Sequence, residues 1–269
     1  MRFSKITPNS PPIPKHKKHQ KNNPTNNLSQ TAATMTLNSP ESLLQLYALA
    51  SSATNSTANP TDHPLYTAEL MREVGLKCIG FNGVPRTINC LNAFRDGLPS
   101  EIQTALANRQ PRRKLARSNI DDVLDRGHGL WNSIYAPFSS KLIKKLASSH
   151  PDLPVHIVES EYGALFSDPA ESAPLGANVG RVLTSVVAVA CLRAQTGVGP
   201  QVLSHVFGLR KAVEGEQAEA VAAAEEVEGG KWLASDEGSE WLLRKVDEVV
   251  GAIGGGFAGG YERELKAKL

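Results

Sequence analysis

Asn178-Val179-Gly180-Arg181-Val182-Leu183-Thr184-Ser185-Val186-Val187-Ala188-Val189-Ala190-Cys191-Leu192-Arg193-Ala194-Gln195 is strongly apolar, and Val182, Leu183, Val186, Val187, Val189 and Ala190 wrap round a helical projection. Such a pattern predicts a helix buried on most of its surface. It ends in Thr196-Gly197-Val198-Gly199-Pro200, and Pro200 opens the next helix, where its missing N–H is not needed. Downstream, Glu216 to Glu228 consists almost wholly of helix formers and stops at Gly229-Gly230. A last helix runs through Trp241, Leu242, Val246, Val249 and Val250.

Upstream the same logic repeats. Ser39-Pro40-Glu41 supplies a cap, a first-turn proline and an early acid for a helix carrying Leu43, Leu44, Tyr47 and Ala50. Residues 51–62, rich in Ser, Thr and Asn, read as a loop. Leu70, Val74, Cys78 and Phe81 mark an amphipathic helix that stops near Gly80 to Gly83. Pro85 then opens a helix through Ile88, Leu91 and Phe94 to Gly97, and a shorter one spans Pro99 to Asn108. Arg109, Arg112, Arg113, Lys114 and Arg117, without interleaved aromatics, read as a solvated connection. Asp121 and Asp122 suit a first helical turn after Ser118, and Trp131 and Tyr135 lie four apart. Leu142 and Leu146 mark another helix, and Val155 to Val158 reads as a short strand or extended chain.

With 269 residues, 41% hydrophobic content and only 6% aromatics, the chain has enough apolar material for a core of helical build. A net charge of +2 gives no argument for a nucleic-acid partner. No run approaches eighteen apolar residues, so no membrane span is expected. Cys78, Cys90 and Cys191 form neither a Cys-x-x-Cys pair nor an even framework, which suits a reducing setting. Residues 1–36 are basic, lack acids and are rich in Pro and Asn, so they read as a disordered extension, with Met35 as an alternative start. Their prolines argue against the amphipathic helix of an organellar transit peptide.

Two segments carry a resemblance. Lys77-Cys78-Ile79-Gly80-Phe81-Asn82-Gly83-Val84-Pro85-Arg86-Thr87-Ile88-Asn89-Cys90-Leu91 resembles the helix, break and Asn-containing helix of carboxymuconolactone decarboxylase-like proteins. Ser185 to Ala194 with Gln201-Val202-Leu203-Ser204-His205-Val206-Phe207-Gly208-Leu209-Arg210-Lys211-Ala212 is similar to the helix pair bearing that family's histidine. The resemblance implies an all-α, alkylhydroperoxidase D-like helical bundle over residues 38–228, in halves 38–108 and 118–228. Residues 229–269 would then form a C-terminal helix, a Gly-rich tether and a tail. A homo-oligomer is expected, and a peroxisomal ending on such a chain would suit a fungal-type branch of the superfamily.

Peroxidase members of the superfamily resemble Cys-x-x-Cys-x-x-x-His, which would place cysteines where Val198 and Gln201 stand. No thiol-dependent peroxidase cycle is therefore expected, and Cys191 reads as a small buried hydrophobe. The decarboxylase type implies cofactor-free chemistry without a metal, on a small carboxylated or carbonyl-bearing molecule. His205 is the implied acid/base and shares a helical side with Val202 and Leu209; a satisfied core histidine is the competing reading. Arg86, Arg193 and Arg72 are candidate carboxylate anchors. Trp131, Tyr135 and Tyr162 are candidate pocket walls, with core packing as their default. A noncatalytic oligomeric or partner-binding role is the alternative from another class, and a hydroperoxidase comes third.

The last three residues, Ala267-Lys268-Leu269, resemble the Ser-Lys-Leu class of peroxisomal address read by an import receptor. Gly254 to Gly260 would present them as an accessible arm. Localisation in the peroxisome is expected, with mitochondrion or cytosol as alternatives and a frayed helical tail as the bland reading.

Overall fold

The computed structural model describes residues 24–52, 64–169, 174, 176–195, 197–214 and 229–254. It is all-α, with no strand among the described residues. The helices are α1 (Pro24–Thr36), α2 (Pro40–Ser52), α3 (Pro64–Lys77), α4 (Ile79–Asn82), α5 (Val84–Gly97), α6 (Ser100–Ala107), α7 (Ile120–Tyr135), α8 (Ser139–Ser149) and α9 (Asp152–Val155). A π-helical segment (His156–Phe166) follows, then α10 (Gly180–Ala194), α11 (Gly199–Glu214), α12 (Gly230–Ala234) and α13 (Asp236–Ile253). None is long and apolar enough to cross a membrane. Residues 1–23, the 53–62 part of the expected loop, the Glu216 to Glu228 helix and the tail with Ala267, Lys268 and Leu269 lie outside the described residues.

Helix α10 is the axis of the molecule, as its composition requires. All of its residues except Gly180, Leu183 and Arg193 are buried. One core lies between α10 and α1, α2, α3, α5 and α13, and includes Leu28, Met35, Leu43, Phe94, Val187 and Val246. A second joins α10, α11, α12 and α13 through Val186, Leu209, Leu233 and Leu242. A third, largely aromatic, joins α7 to the π-helical segment. The N-terminus of α10 is fixed by Asp168, whose carboxylate accepts from Gly180 N at 2.6 Å and pairs with the fully buried Lys77 at 2.9 Å. Burial lowers the Lys77 pKa, and Asp168 opposes that shift.

Two sequence expectations need correction. Residues 24–36 are not a disordered extension: they form α1, which packs on α10 and α13, with Leu28, Ala32, Ala33 and Met35 all but inaccessible. The small Ala, Ser and Thr side chains of this polar-looking helix allow close approach to α10, and Thr36 donates to Ala32 O and Asn82 Oδ1. The helical unit therefore extends beyond 38–228 at both ends. Val155 to Val158 is not extended either, because α9 runs directly into the π-helical segment. There Val158, Tyr162 and Phe166 fall on one face against α7. The contact is close enough to require glycine on both sides: a Cβ on Gly127 would meet Val158 O at 2.7 Å, and one on Gly163 would meet Val123 O at 2.9 Å.

Candidate functional site

The third core surrounds the face of α11 that carries His205. Trp131 and Tyr135 lie one turn apart on α7 with their rings tilted by 42° and 4.2 Å between centroids, and Tyr162 and Phe166 stand four apart on the π-helical segment. Phe81 of α4 stacks on Phe166 and meets His205 edge-on at 6.0 Å. A hydrogen-bond chain crosses this cluster. The Tyr162 and Tyr135 hydroxyls are 3.0 Å apart, and the Tyr135 hydroxyl lies 3.3 Å from His205 Nε2. The other ring nitrogen, Nδ1, is buried with no hydrogen-bond partner among the described residues.

Burial first, and then the nearby Arg181 cation, push the His205 pKa from 6.5 down to about 4. The imidazole is therefore neutral at pH 7. Burial raises the phenol pKa values of Tyr135 and Tyr162, so both keep their protons, while the field of Arg181 opposes the rise and favours a developing phenolate. The chain has two polarities. Tyr162 can donate to Tyr135 and Tyr135 to Nε2, or Nε2–H can donate to Tyr135 and Tyr135 to Tyr162. The first needs the Nδ1–H tautomer of His205 and the second the Nε2–H tautomer, and both hold the Tyr135 hydroxyl between Tyr162 and His205.

Tyr135 is also the link to open space. It lines a cavity of about 740 Å³ between α7, α8 and α11, with Phe138, Leu142 and Phe207 as apolar wall and Lys141, Lys145, Arg210, Lys211 and Glu214 as charged groups. Lys211 Nζ donates to the Ile134 and Ala136 carbonyls at 3.0 and 2.7 Å, and burial lowers its pKa. Arg210 pairs with Asp236. The mixture of apolar wall, excess positive charge and one phenol suits a small organic anion.

The three arginines named from sequence do not converge on His205. Arg193 makes a two-pronged pair with Asp247 at 2.8 and 2.7 Å. Arg86 donates to Thr36 O at the end of α1. Arg72 pairs with Glu69 at 3.0 Å and lines a separate cavity of about 540 Å³. Arg109 and Arg113 also line that cavity, where they pair with Glu69 and Glu73, and Arg112 bonds Ala177 O and Asn178 Oδ1. Arg109 and Arg113 thus clamp α3, while Lys114 and Arg117 are exposed as a solvated connection would be. The cation near His205 is Arg181, held by Ser133 Oγ at 2.7 Å, Gly208 O at 2.8 Å and Ser185 Oγ. Sequence reasoning missed it, although a cation in the first turn of an apolar helix, where the helix dipole disfavours it, was a usable signal.

These features define an all-helical protein with a buried phenol–imidazole chain that opens on a cationic, apolar-walled cavity. The chain is similar to Peroxisomal protein 2 of Saccharomyces cerevisiae, 31% identical over 156 residues, which cover 51% of this chain and 52% of that protein. It thus spans about half the length of that relative. No protein-family profile matches the chain, and no solved structure does.

Proposed function

We propose that this chain is a peroxisomal, cofactor-free protein of the carboxymuconolactone decarboxylase-like type, which takes a small carboxylated or carbonyl-bearing molecule into the cavity beside Tyr135. The observation that carries the proposal is the Tyr162–Tyr135–His205 chain, whose middle phenol forms part of the cavity wall. Lys141, Lys145 and Lys211 attract the carboxylate, and the apolar side receives the carbon skeleton. As carbon dioxide leaves or an enol forms, the carbon or oxygen that gains charge needs a proton. Tyr135 supplies it, and the phenolate so formed, held by the Tyr162 hydroxyl, by His205 Nε2–H and by the field of Arg181, takes a proton back from water in the cavity. His205 thus acts through Tyr135 and does not line the cavity itself.

The location is supported by the similarity to Peroxisomal protein 2 and by Ala267-Lys268-Leu269, read by an import receptor. A fluorescent tag at the N-terminus should give punctate peroxisomal signal that becomes diffuse when Leu269 is removed; unchanged puncta would refute that address. The ligand reading is tested by thermal shift with a panel of small carboxylates, 2-oxo acids and carboxylated lactones. A ligand at one hundred times its Kd stabilises the native state by about 2.7 kcal/mol. Charge reversal by Lys141→Glu with Lys145→Glu should abolish the shift. A panel with no stabilising member would refute the reading.

One observation favours a noncatalytic assembly role. Phe138, Leu203 and Phe207 are 64%, 55% and 50% exposed along this side of the molecule, an apolar lip that a second copy could cover. Sedimentation of wild type beside Phe207→Ser decides it: a dimer or higher assembly that dissociates in the variant supports this reading, and a wild-type monomer refutes it.

A further inference from the structure

Cys78 and Cys191 stand 113 positions apart in sequence, on different helices, yet their Sγ atoms are 3.4 Å apart in the folded chain. Cys78 begins the α4 turn directly after α3, and Cys191 lies in the last turns of α10. Both side chains are inaccessible. Their surroundings are poor in groups that would activate a thiol. Ala32 O and Asn82 Nδ2 lie 3.8 and 3.9 Å from Cys191 Sγ. Cys90, the third cysteine, instead lies 3.9 Å from Asn38 Oδ1.

We propose that Cys78 and Cys191 are a redox pair which a hydroperoxide converts to a disulfide, joining the α3–α4 turn to α10. A gap of 3.4 Å is van der Waals contact between two sulfurs, and the bond needs about 2.05 Å, so a movement of little more than an ångström closes it. The chemistry balances in two steps. One sulfur attacks the outer peroxide oxygen while its thiol proton passes to the departing alkoxide, which gives a sulfenic acid and an alcohol. The neighbouring thiol then attacks that sulfur and expels its hydroxyl as water. Two thiols lose two electrons and two protons, and the peroxide becomes alcohol and water.

The α4 turn beside Cys78 is the less covered side of the pair, since α10 around Cys191 is buried. Ile79, Phe81 and Asn82 above the pair are half-buried, Gly80 and Gly83 are exposed, and the Asn82 amide covers the Cys191 sulfur. Only a small hydroperoxide fits through such a cover. Burial also holds the Cys78 thiol well above its usual pKa, so thiolate is scarce and the conversion is slow. This is a single conversion that cross-links two helices, not a peroxidase turnover. It does not depend on the cavity beside Tyr135.

Trypsin separates the three cysteines, which fall in the peptides Cys78–Arg86, Thr87–Arg95 and Val182–Arg193. Reduced full-length protein is treated with hydrogen peroxide, blocked with N-ethylmaleimide in denaturant and digested without reductant. The expected product links Cys78–Arg86 to Val182–Arg193, while Thr87–Arg95 carries the alkyl group. The melting temperature of the oxidised protein should rise on the order of 5 to 10 °C and return with dithiothreitol. Cys90→Ser should retain the cross-link, and Cys78→Ser and Cys191→Ser should lose it. Recovery of all three peptides alkylated would overturn the proposal, as would cross-links through Cys90 or overoxidation of Cys78 or Cys191 to sulfinic acid without the cross-link.

Discussion

Leu28→Ala tests whether α1 belongs to the core. The side chain is 1% exposed and lies in the cluster that also holds Val187, Ala190 and Val246, between two helices that are themselves fixed. A buried Leu→Ala change costs roughly 2.7 to 5 kcal/mol, the higher figures applying where the surroundings cannot collapse into the cavity. Closing this one would require α1 to move toward both α10 and α13, so about 3 to 4 kcal/mol is expected. At about 2 to 4 °C per kcal/mol for a chain of this size, the melting temperature should fall by roughly 6 to 16 °C. Urea unfolding followed by circular dichroism should show an earlier midpoint with unchanged slope. Leu49→Ala, at a residue 69% exposed, is the control and should stay within about 0.5 kcal/mol of wild type. If the two variants behave alike, α1 is not docked, and residues 24–36 revert to an extension.

Gly127→Ala should cost about 1 to 3 kcal/mol, because its new methyl would press on the Val158 and Gly163 backbone. Gly129→Ala, on the same helix with nothing within 4 Å, should instead be neutral or stabilise by about 0.5 to 1 kcal/mol in a thermal melt. His205→Gln should flatten the acid limb of the stability curve. The folded pKa of His205, about 4, lies below the unfolded 6.5, so the unfolded chain binds more protons between them. Stability from this residue is complete above pH 6.5 and is lost as pH falls toward 4, by about 3 kcal/mol in total. Urea midpoints of wild type and variant at pH 7 and pH 4 measure the difference, and parallel pH profiles would show that His205 titrates normally.

The legible part of the fold was the part with strong periodicity. Helix α10 announces itself because nearly every side of it is apolar, and α3, α5, α7 and α13 follow from their stripes and first-turn signals. Helix α1 was hidden because its buried face is made largely of Thr, Ser and Ala, whose contribution is close approach rather than hydropathy. The π-helical segment was hidden because Val155, His156, Ile157 and Val158 are residues that local preference assigns to extended chain, and packing on Gly127 overrides that preference. His205 was legible from its place on a helical face, and Trp131, Tyr135 and Tyr162 from their chemistry. Their convergence was not, since it joins three elements far apart in sequence. The arginines' positions were not legible for the same reason: spacing identifies a guanidinium, but only the fold says that Arg193 meets Asp247 while Arg181 meets the histidine's helix.

The central claim is that Tyr135, held by His205, gives a proton to the ligand in the cavity, and turnover by Tyr135→Phe tests it most directly. The substitution removes one hydroxyl and keeps the ring among Trp131, Tyr162 and His205. With a carboxylate found to stabilise the protein, product formation by wild type, Tyr135→Phe and His205→Gln is measured beside binding. The account predicts that both variants bind within a few-fold of wild type and lose about 10² to 10⁴ in turnover, since each removes a member of the same hydrogen-bonded chain. Undiminished turnover by Tyr135→Phe at unchanged stability would contradict it and leave the aromatic cluster as packing alone.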